Sequence, residues 1–252
     1  MALLIAMMMR GGLPWPLALF IGMLFGMCGG LINSFWVNKL NFFGFIATLG
    51  MASIYTGLGL IITLNTPVPI SNQAFWSVAE YALFGYFPMS FVIMICIMII
   101  YGFILGKTRF GRSILMCGGN RQAARLAGLN PKRTTTILYM NSGMLSTIAG
   151  SLLASRLHSA APDALGSSAL EAITASVLGG VSFVGGSGRI SGVFFGTLLL
   201  NALTNGLVVI AVPTYWQLVL RGMVLIIALC LDYFSNRARD ASLRRSRIRQ
   251  SA

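Results

Sequence analysis

Long apolar runs, separated by short polar or basic segments, recur along the whole chain of 252 residues. A helix needs about 20 mainly apolar residues to cross the hydrocarbon core of a bilayer. Helices are the expected form, because backbone groups in lipid must be hydrogen-bonded within their own segment. The pattern therefore predicts an all-α fold, a polytopic transmembrane helical bundle of about seven spans, at residues 14–36, 42–64, 88–106, 134–156, 168–185, 190–211 and 216–235.

The fifth of these spans, residues 168–185, is short and is interrupted by Gly179 and Gly180. Glycine pairs favour local unwinding, since glycine adopts conformations that other residues avoid. Non-helical backbone at membrane depth is tolerated only where it is buried in protein or lines a cavity. We therefore interpret this segment as a candidate broken or re-entrant helix.

Glycine spacing also indicates how the spans pack. Gly22, Gly26 and Gly30 form two overlapping GxxxG steps, and Gly192 and Gly196 form another. Small residues at this spacing let two helix backbones approach closely. Close helix packing is the expected role of these glycines, and a glycine-lined pathway is the alternative.

The charge distribution adds an orientation. The chain has 18 Lys and Arg against 5 Asp and Glu, and the basic residues gather in a loop at 107–133 and a tail at 237–252. In a soluble protein this balance would suggest a nucleic-acid partner, but in a membrane protein basic loops mark the cytoplasmic side. We therefore predict no nucleic-acid partner, a transmembrane domain over 1–236 and a cytoplasmic C-terminal tail. An even number of spans must then separate loop and tail, which favours a crossing by 168–185.

Catalytic and metal chemistry find little support. The chain has one His, no CxxC pair, and five scattered acids, so neither a metal site nor a pair of catalytic carboxylates is indicated. The stretch "GFILGKT" at 102–108 is one residue short of a phosphate loop and follows an apolar helix instead of a strand. The sequence thus predicts a protein that is not an enzyme and binds no cofactor of its own.

Several residues inside the predicted spans are candidates for a transport pathway. An ionisable residue in a span is a functional candidate, although Glu171 could equally be a solvated cap at the outer end of its helix. Amides and hydroxyls in spans more commonly bond neighbouring helices. The candidate pathway residues are Asn141, Glu171, Thr174, Gly179, Gly180, Asn201 and Asn205.

A short basic helix is predicted within "GGNRQAARLAGLNPKR", residues 118–133. Asn120 is a plausible N-cap, Gly128 a plausible C′ residue, and Pro131 discourages continuation. Two turns are too short to persist alone in water, so this helix must dock on a surface. One face of it carries Ala123, Leu126 and Ala127, and another carries Arg121 and Arg125.

The same stretch resembles the cytoplasmic coupling loop of bacterial ABC-importer permeases. The E-A-A…G pattern of that loop is matched by Gln122, Ala123, Ala124 and Gly128, with Gln in place of Glu. "GGNRQAARLAG" is most similar to the ribose/xylose/autoinducer-type sugar permeases, and "FIATLGMASIYTGLGLI" at 45–61 and "LEAITASVLGGVSFVGGSGRISGVFFGTLLL" at 170–200 resemble further segments of that family. The resemblance covers about residues 17 to 235.

The resemblance implies the permease subunit of a binding-protein-dependent importer for a monosaccharide, with a ribose-like sugar expected. It implies a bacterial inner-membrane location and four kinds of partner: cytoplasmic ABC ATPases that bind MgATP, a second permease copy, an extracytoplasmic sugar-binding protein and membrane lipid. The expected coupling residues are Asn120, Arg121, Gln122, Ala123, Ala124, Arg125, Leu126 and Gly128. The alternative is a self-contained secondary transporter or channel for a small polar solute.

One departure from that family concerns the first residues. Its members carry further spans upstream, including a G-I-D-L-S-V-G-like segment, whereas this chain opens with "MALLIAMMM". We expect an N-terminal truncation or a late start codon, with residues 1–9 forming the end of a preceding helix.

Overall fold

Helices account for nearly all of the regular structure. The computed structural model describes residues 1–83, 87–166 and 168–250, and the side chains of these except 82, 83 and 235–250. Across those ranges the helices are α1 (Ala2–Arg10), α2 (Trp15–Lys39), α3 (Gly44–Thr63), α4 (Gln73–Glu80), α5 (Met89–Lys107), α6 (Arg109–Gly119), α7 (Arg121–Leu126), α8 (Pro131–Arg156), α9 (Ser168–Leu178), α10 (Ile190–Val209) and α11 (Thr214–Gln250). The strands are β1 (Val68–Pro69), β2 (Ala82–Leu83), β3 (Phe87–Pro88) and β4 (Ser159–Ala160), paired antiparallel as β1–β4 and β2–β3. The predicted all-α class is confirmed.

Six helices in the described part of the chain are long and apolar enough to cross a membrane: α2, α3, α5, α8, α10 and the Thr214–Phe234 part of α11. The predicted span at 168–185 is wrong in extent, because its helix, α9, has 11 residues. At 1.5 Å per residue α9 is about 16 Å long, roughly half of the hydrocarbon thickness. The expected break is present, so the bundle has six long helices and one half-length helix.

The end of α9 shows why the helix stops. Gly180 has a φ of 80°. Its N–H donates to the carbonyl of Val177 at 2.9 Å, and the N–H of Val181 donates to the carbonyl of Ser176 at 3.1 Å. This is the Schellman arrangement, in which a glycine in the left-handed region closes a helix and satisfies its last carbonyls. The glycine pair thus ends the helix.

Three helical segments add detail to the sequence-based expectation. Residues 2–10 form the helix α1, which ends in a turn at Gly11, and helix was expected for residues 1–9. An additional helix, α6, precedes the predicted coupling helix. The predicted tail at 237–252 continues α11 as far as Gln250, so the backbone does not break at 236, and the last two residues lie outside the described part.

The chain divides into two compact units. The first holds α1 to α4, the beginning of α5, α8 and the turn up to Gly166. The second holds the end of α5, α6, α7 and α9 to α11.

In the first unit α2 and α8 cross with their backbones in contact. A Cβ added at Gly30 would meet the carbonyl oxygen of Tyr139, and one at Gly26 would lie 2.6 Å from the carbonyl oxygen of Gly143. Gly22 continues the line, with the Thr147 side chain 3.5 Å from its added Cβ. The GxxxG steps therefore pack helices, which confirms the packing role over a glycine-lined pathway for these positions.

One end of the first unit carries a small core outside the long helices. Strands β1 and β4 pair with Val68 opposite Ala160. The buried residues of this core are Leu3, Ala6, Val68, Ile70, Phe75, Ala154 and Ala160. The Ser155 hydroxyl donates to the Phe75 carbonyl at 2.7 Å, which fixes α4 against α8. Beside it, Glu80 lies 2.7 Å from His158 Nε2, at an exposed edge. The core therefore joins the segment before α5 to the segment after α8.

In the second unit α9 and α10 also meet backbone to backbone. A Cβ at Gly179 would meet the carbonyl of Gly192, and one at Gly196 would meet the carbonyl of Ala175. The residue numbers rise along one helix as they fall along the other, so the two helices are antiparallel. Gly179 is thus a packing residue of this crossing.

The α2–α8 crossing predicts which glycines are needed for stability. We expect Gly30→Ala to lower the free energy of unfolding by about 1–3 kcal/mol, because its methyl group meets backbone that cannot rotate away. Unfolding of the purified protein in mixed micelles of rising SDS content measures the change. Gly57→Ala in α3 is the matched control, since nothing lies within 4 Å of a Cβ there. Equal stability of the two variants would contradict the packing assignment.

Candidate functional site

The short helix predicted within residues 118–133 is present as α7, Arg121–Leu126, and both of its caps are as expected. The side-chain oxygen of Asn120 accepts from the N–H groups of Gln122 at 2.9 Å and Ala123 at 3.0 Å. Gly128 has a φ of 78°, and its N–H donates to the Arg125 carbonyl at 3.0 Å. The N–H of Leu129 donates to the Ala124 carbonyl at 3.0 Å, which completes a Schellman motif. Both ends of this short helix are therefore fixed by its own sequence.

The faces of α7 differ sharply in exposure. Ala124 is 1% exposed and faces its own chain, whereas Leu126 is 92% exposed. Ala123 and Ala127 are also exposed. Of the predicted coupling residues, Ala124 therefore packs internally and is not part of an outer surface. The exposed apolar residues of the helix are Ala123, Leu126 and Ala127, and we call them the α7 face.

The helix before α7 holds it at the end of a span. Lys107 is the last residue of α5, and Thr108 caps α6 by accepting the Gly111 N–H at 3.1 Å. A Cβ at Gly111 would meet the carbonyls of Ile104 and Leu105, so α6 turns directly off the end of α5. Its last residues, Gly118 and Gly119, come immediately before the cap of α7.

Those two glycines contact the loop that follows α9. A Cβ added at Gly118 would lie 2.8 Å from the backbone nitrogen of Gly186, and one at Gly186 would lie 2.6 Å from the Cα of Gly119. Gly185 is equally close, with its added Cβ 2.8 Å from the Gly118 carbonyl oxygen. Gly185 and Gly186 have φ values of 102° and 83°, which side chains rarely adopt. We call this backbone contact the glycine junction.

The loop after α9 is itself well ordered by hydrogen bonds. The N–H of Ser182 donates to the carbonyl of Ser187 at 3.1 Å, which closes the loop on itself. The N–H of Phe183 donates to the Asp232 carboxylate at 3.0 Å, which ties the loop to α11. A segment held at both points can transmit a displacement of the glycine junction to α9.

Two contacts with α11 give the direction of this segment. Arg221 forms an ion pair with Glu171 in the first turn of α9, and Asp232 binds the loop at Phe183. These positions on α11 are about three helical turns apart, about 16 Å along the axis. The chain from Glu171 to Phe183 therefore runs alongside α11, in the same direction, over that length. It ends next to the glycine junction. Together, α9 and its loop extend farther along α11 than the 11 residues of α9 do alone.

The candidate pathway residues are distributed over both units. In the second, Thr174 is buried and its hydroxyl donates to Leu170 O at 2.7 Å, while Asn201 and Asn205 lie exposed on α10. Glu171 is paired, and Gly179 and Gly180 serve packing and helix termination as described above. Asn141 lies half-buried on α8 in the first unit. The structure thus brings together the α9 residues and leaves Asn141 in a separate group.

Sequence reasoning missed two partners in this site, Arg221 and Asp232. Neither residue is among the candidate pathway or coupling residues that the sequence predicts. Each is an isolated charge in the apolar segment that forms α11, and Glu171 is the only acid in α9. Opposite charges in membrane helices pair because an uncompensated charge there is costly, so these lone charges were a usable signal.

The Glu171–Arg221 ion pair is expected to contribute more to stability than the more exposed Glu80–His158 pair. Its side chains are 35% and 28% exposed, against 56% and 43% for Glu80 and His158. We expect Glu171→Gln to lower the free energy of unfolding by about 1–3 kcal/mol, since it leaves a half-buried guanidinium without its carboxylate. SDS-induced unfolding measures the loss, and Glu80→Gln at the exposed pair serves as control. An equal effect of both changes would contradict a special role for the inner pair.

Comparison with known proteins agrees with the resemblance of the motifs. The family described as "Branched-chain amino acid transport system / permease component" matches residues 1–229. The ribose import permease protein of Bacillus subtilis (strain 168) is 38% identical over 234 residues, which cover 91% of this chain and 71% of that protein. The L-arabinose transport system permease protein of Escherichia coli (strain K12) is 38% identical over 208 residues, covering 82% of this chain and 63% of that protein.

A third relative, the ribose import permease protein of Escherichia coli (strain K12), is 37% identical over 223 residues, or 85% of this chain and 67% of that protein. The chain thus spans 63% to 71% of the length of these curated relatives. No solved structure matches the chain at a significant level. The match over residues 1–229 and these identities, on a bundle of membrane-length helices, show that the chain belongs to the family of ABC-importer permeases that includes the ribose and L-arabinose permeases.

Proposed function

We propose that this chain is the permease subunit of an ATP-driven, binding-protein-dependent importer for a monosaccharide, with a ribose-like pentose as substrate. The observation that carries the proposal is the similarity, over 91% and 82% of the chain, to permeases named for ribose and for L-arabinose. Both sugars are aldopentoses, so a pentose is the substrate class that these relatives share.

The α7 face is the proposed docking surface for a cytoplasmic ABC ATPase, which binds MgATP and hydrolyses it. Leu126 supports this role because a fully exposed leucine on a capped helix has apolar surface available for a partner. Burial of one leucine side chain contributes about 1.5–3 kcal/mol, enough to anchor a small interface. Arg121 and Arg125 are exposed beside it and fit acidic groups of the partner.

The glycine junction is the proposed route from the ATPase into the membrane. Movement of α7 would displace α6, and Gly118 and Gly119 would push on Gly185 and Gly186. Because Asp232 holds the loop and close contact with α10 holds α9, such a push moves these parts as a body. In this proposal Glu171, Asn201 and Asn205 remain the candidates to line the pathway.

Orientation and the remaining partners follow from the same proposal. The basic residues of 107–133 support a cytoplasmic position for α7, and the basic tail supports the same side for the C-terminus. The small core of β1, β4 and α4 then lies outside and offers a surface to a sugar-binding protein. A second permease copy would complete the pathway in the bacterial inner membrane.

Uptake by the native host tests the transport proposal. Deletion of the gene is expected to abolish uptake of radiolabelled ribose or L-arabinose, and expression of the chain to restore it. Uptake should fail on ATP depletion and survive collapse of the proton gradient. Uptake that follows the proton gradient would instead support a secondary transporter. The family description also names branched-chain amino acids, so leucine uptake is measured in the same deletion strain. If the deletion abolishes leucine uptake and leaves sugar uptake intact, the substrate is an amino acid and the sugar proposal is wrong.

Leu126→Asp tests the coupling role in the same strain. We expect at least a tenfold loss of uptake with unchanged amounts of protein in the membrane, since the exposed side chain supports no internal contact. Leu126→Met keeps the apolar surface and should retain uptake. Ala124→Asp places a charge in a buried position and should lower the amount of folded protein. Normal uptake with Leu126→Asp would contradict docking through the α7 face.

A further inference from the structure

A polar pocket of about 300 Å³ lies between the end of α2 and the start of α8 in the first unit. Two lysines, three uncharged polar residues and two apolar residues line it. The residues are Leu31, Ser34, Phe35, Asn38, Lys39, Lys132 and Thr136. Lys39 is the last residue of α2 and Lys132 is the second residue of α8, so the pocket lies where α2 ends and α8 begins.

The floor of the pocket is a fixed hydrogen-bond network. Asn38 Nδ2 donates to Ser34 Oγ at 2.9 Å, to Thr136 Oγ1 at 3.0 Å and to the Lys132 carbonyl at 3.1 Å. The Ser34 and Thr136 hydroxyls are 2.7 Å apart, and Ser34 is buried. The network holds α2 and α8 at constant spacing, so the pocket is preformed.

The charge of the pocket is uncompensated within the described residues. Lys39 and Lys132 are both exposed, and the ion pairs of the described chain involve other residues. The positive end of the α8 dipole adds to the same sign, because Lys132 is in the first turn of that helix. Lys39 Nζ lies 5.1 Å from the ring centroid of Phe35, on the apolar rim. The site therefore favours an anion that is polar at one end and apolar at the other.

We propose that this pocket binds the phosphate of an anionic phospholipid of the adjoining leaflet, between Lys39 and Lys132. The lipid is favoured over a free phosphate because Leu31 and Phe35, which are 40% and 48% exposed, continue the pocket as an apolar surface along α2. This helix is long and apolar enough to cross a membrane, so acyl chains can lie against that surface. Basic pockets between membrane helices suit such head groups, and a volume near 300 Å³ is at the small end of ligand sites. The proposal does not depend on which solute the protein transports.

Native mass spectrometry of the purified full chain, titrated with phosphatidylglycerol or phosphatidylcholine, tests the site. We expect phosphatidylglycerol to bind preferentially and the variant Lys39→Gln with Lys132→Gln to bind it roughly 25-fold more weakly, at about fivefold for each lysine. Lys39→Arg with Lys132→Arg should keep the affinity, because both charges remain. Inorganic phosphate should fail to displace the lipid.

The matched control removes two charges at the other end of the unit, in Arg10→Gln with Arg156→Gln. Both arginines are exposed, and Arg156 is the last residue of α8. We expect this control to bind phosphatidylglycerol as the unaltered chain does. Equal loss in the control would show a general charge effect, and displacement by inorganic phosphate would show a site for a small anion. Either result, or unchanged binding by the glutamine variant, would overturn the proposal.

Discussion

Close approach of helix backbones at glycine is the constraint on which each unit of this protein depends. In lipid the hydrophobic effect does not drive helices together, because lipid tails are as apolar as the side chains they would replace. Association then relies on van der Waals contact and on hydrogen bonds between helices. At Gly30 and Gly143 on the α2–α8 crossing, and at Gly179 and Gly192 on the α9–α10 crossing, backbones are so near that a single methyl group has no room.

The same constraint explains the half-length helix. Gly179 allows α9 to touch α10, and Gly180 then ends α9 in a left-handed turn. The chain beyond it is non-helical, and its backbone is satisfied by Ser187 and Asp232. Irregular backbone that is removed from water requires protein partners, and this loop has them. A break in a span is therefore combined with a firm attachment to α11.

Polar contacts supply what glycine packing does not, namely a fixed register between elements. The Glu171–Arg221 pair and the Asp232 contact set α9 and its loop along α11. In the first unit Asn38 joins α2 to α8 beyond the last glycine of the crossing. Asn38 comes directly before Lys39, the last residue of α2, where water or lipid head groups lower the cost of a partly exposed polar group.

Much of this architecture could be predicted from the sequence. The lengths of the apolar runs predicted six of the membrane-length helices to within a few residues, because the hydrocarbon core sets the length of a spanning helix. Local chemistry gave both caps of α7, because Asn120 and Gly128 act through their own backbone neighbours. The family followed from ordered motifs, and the comparisons confirm it.

The missing parts depend on contacts between distant segments. The glycine junction joins residues 118–119 to 185–186, and neither pair carries a sequence signal that identifies the other as its contact. The buried side of α7 could not be predicted, because Ala123 and Ala124 are alike in sequence and only packing distinguishes them. Helix α6 was overlooked because it is amphipathic and basic and lies within a segment that charge alone marked as a loop.

The central claim is that the glycine junction carries motion from the coupling helix to the broken helix. The most direct measurement is the number of sugar molecules transported per ATP hydrolysed, in vesicles that hold the chain with its ATPase and binding protein. Gly186→Ala is predicted to lower this number, because its Cβ would lie 2.6 Å from Gly119. Gly12→Ala has the same left-handed strain with nothing within 4 Å, and should leave it unchanged. An unchanged ratio in Gly186→Ala would contradict the account.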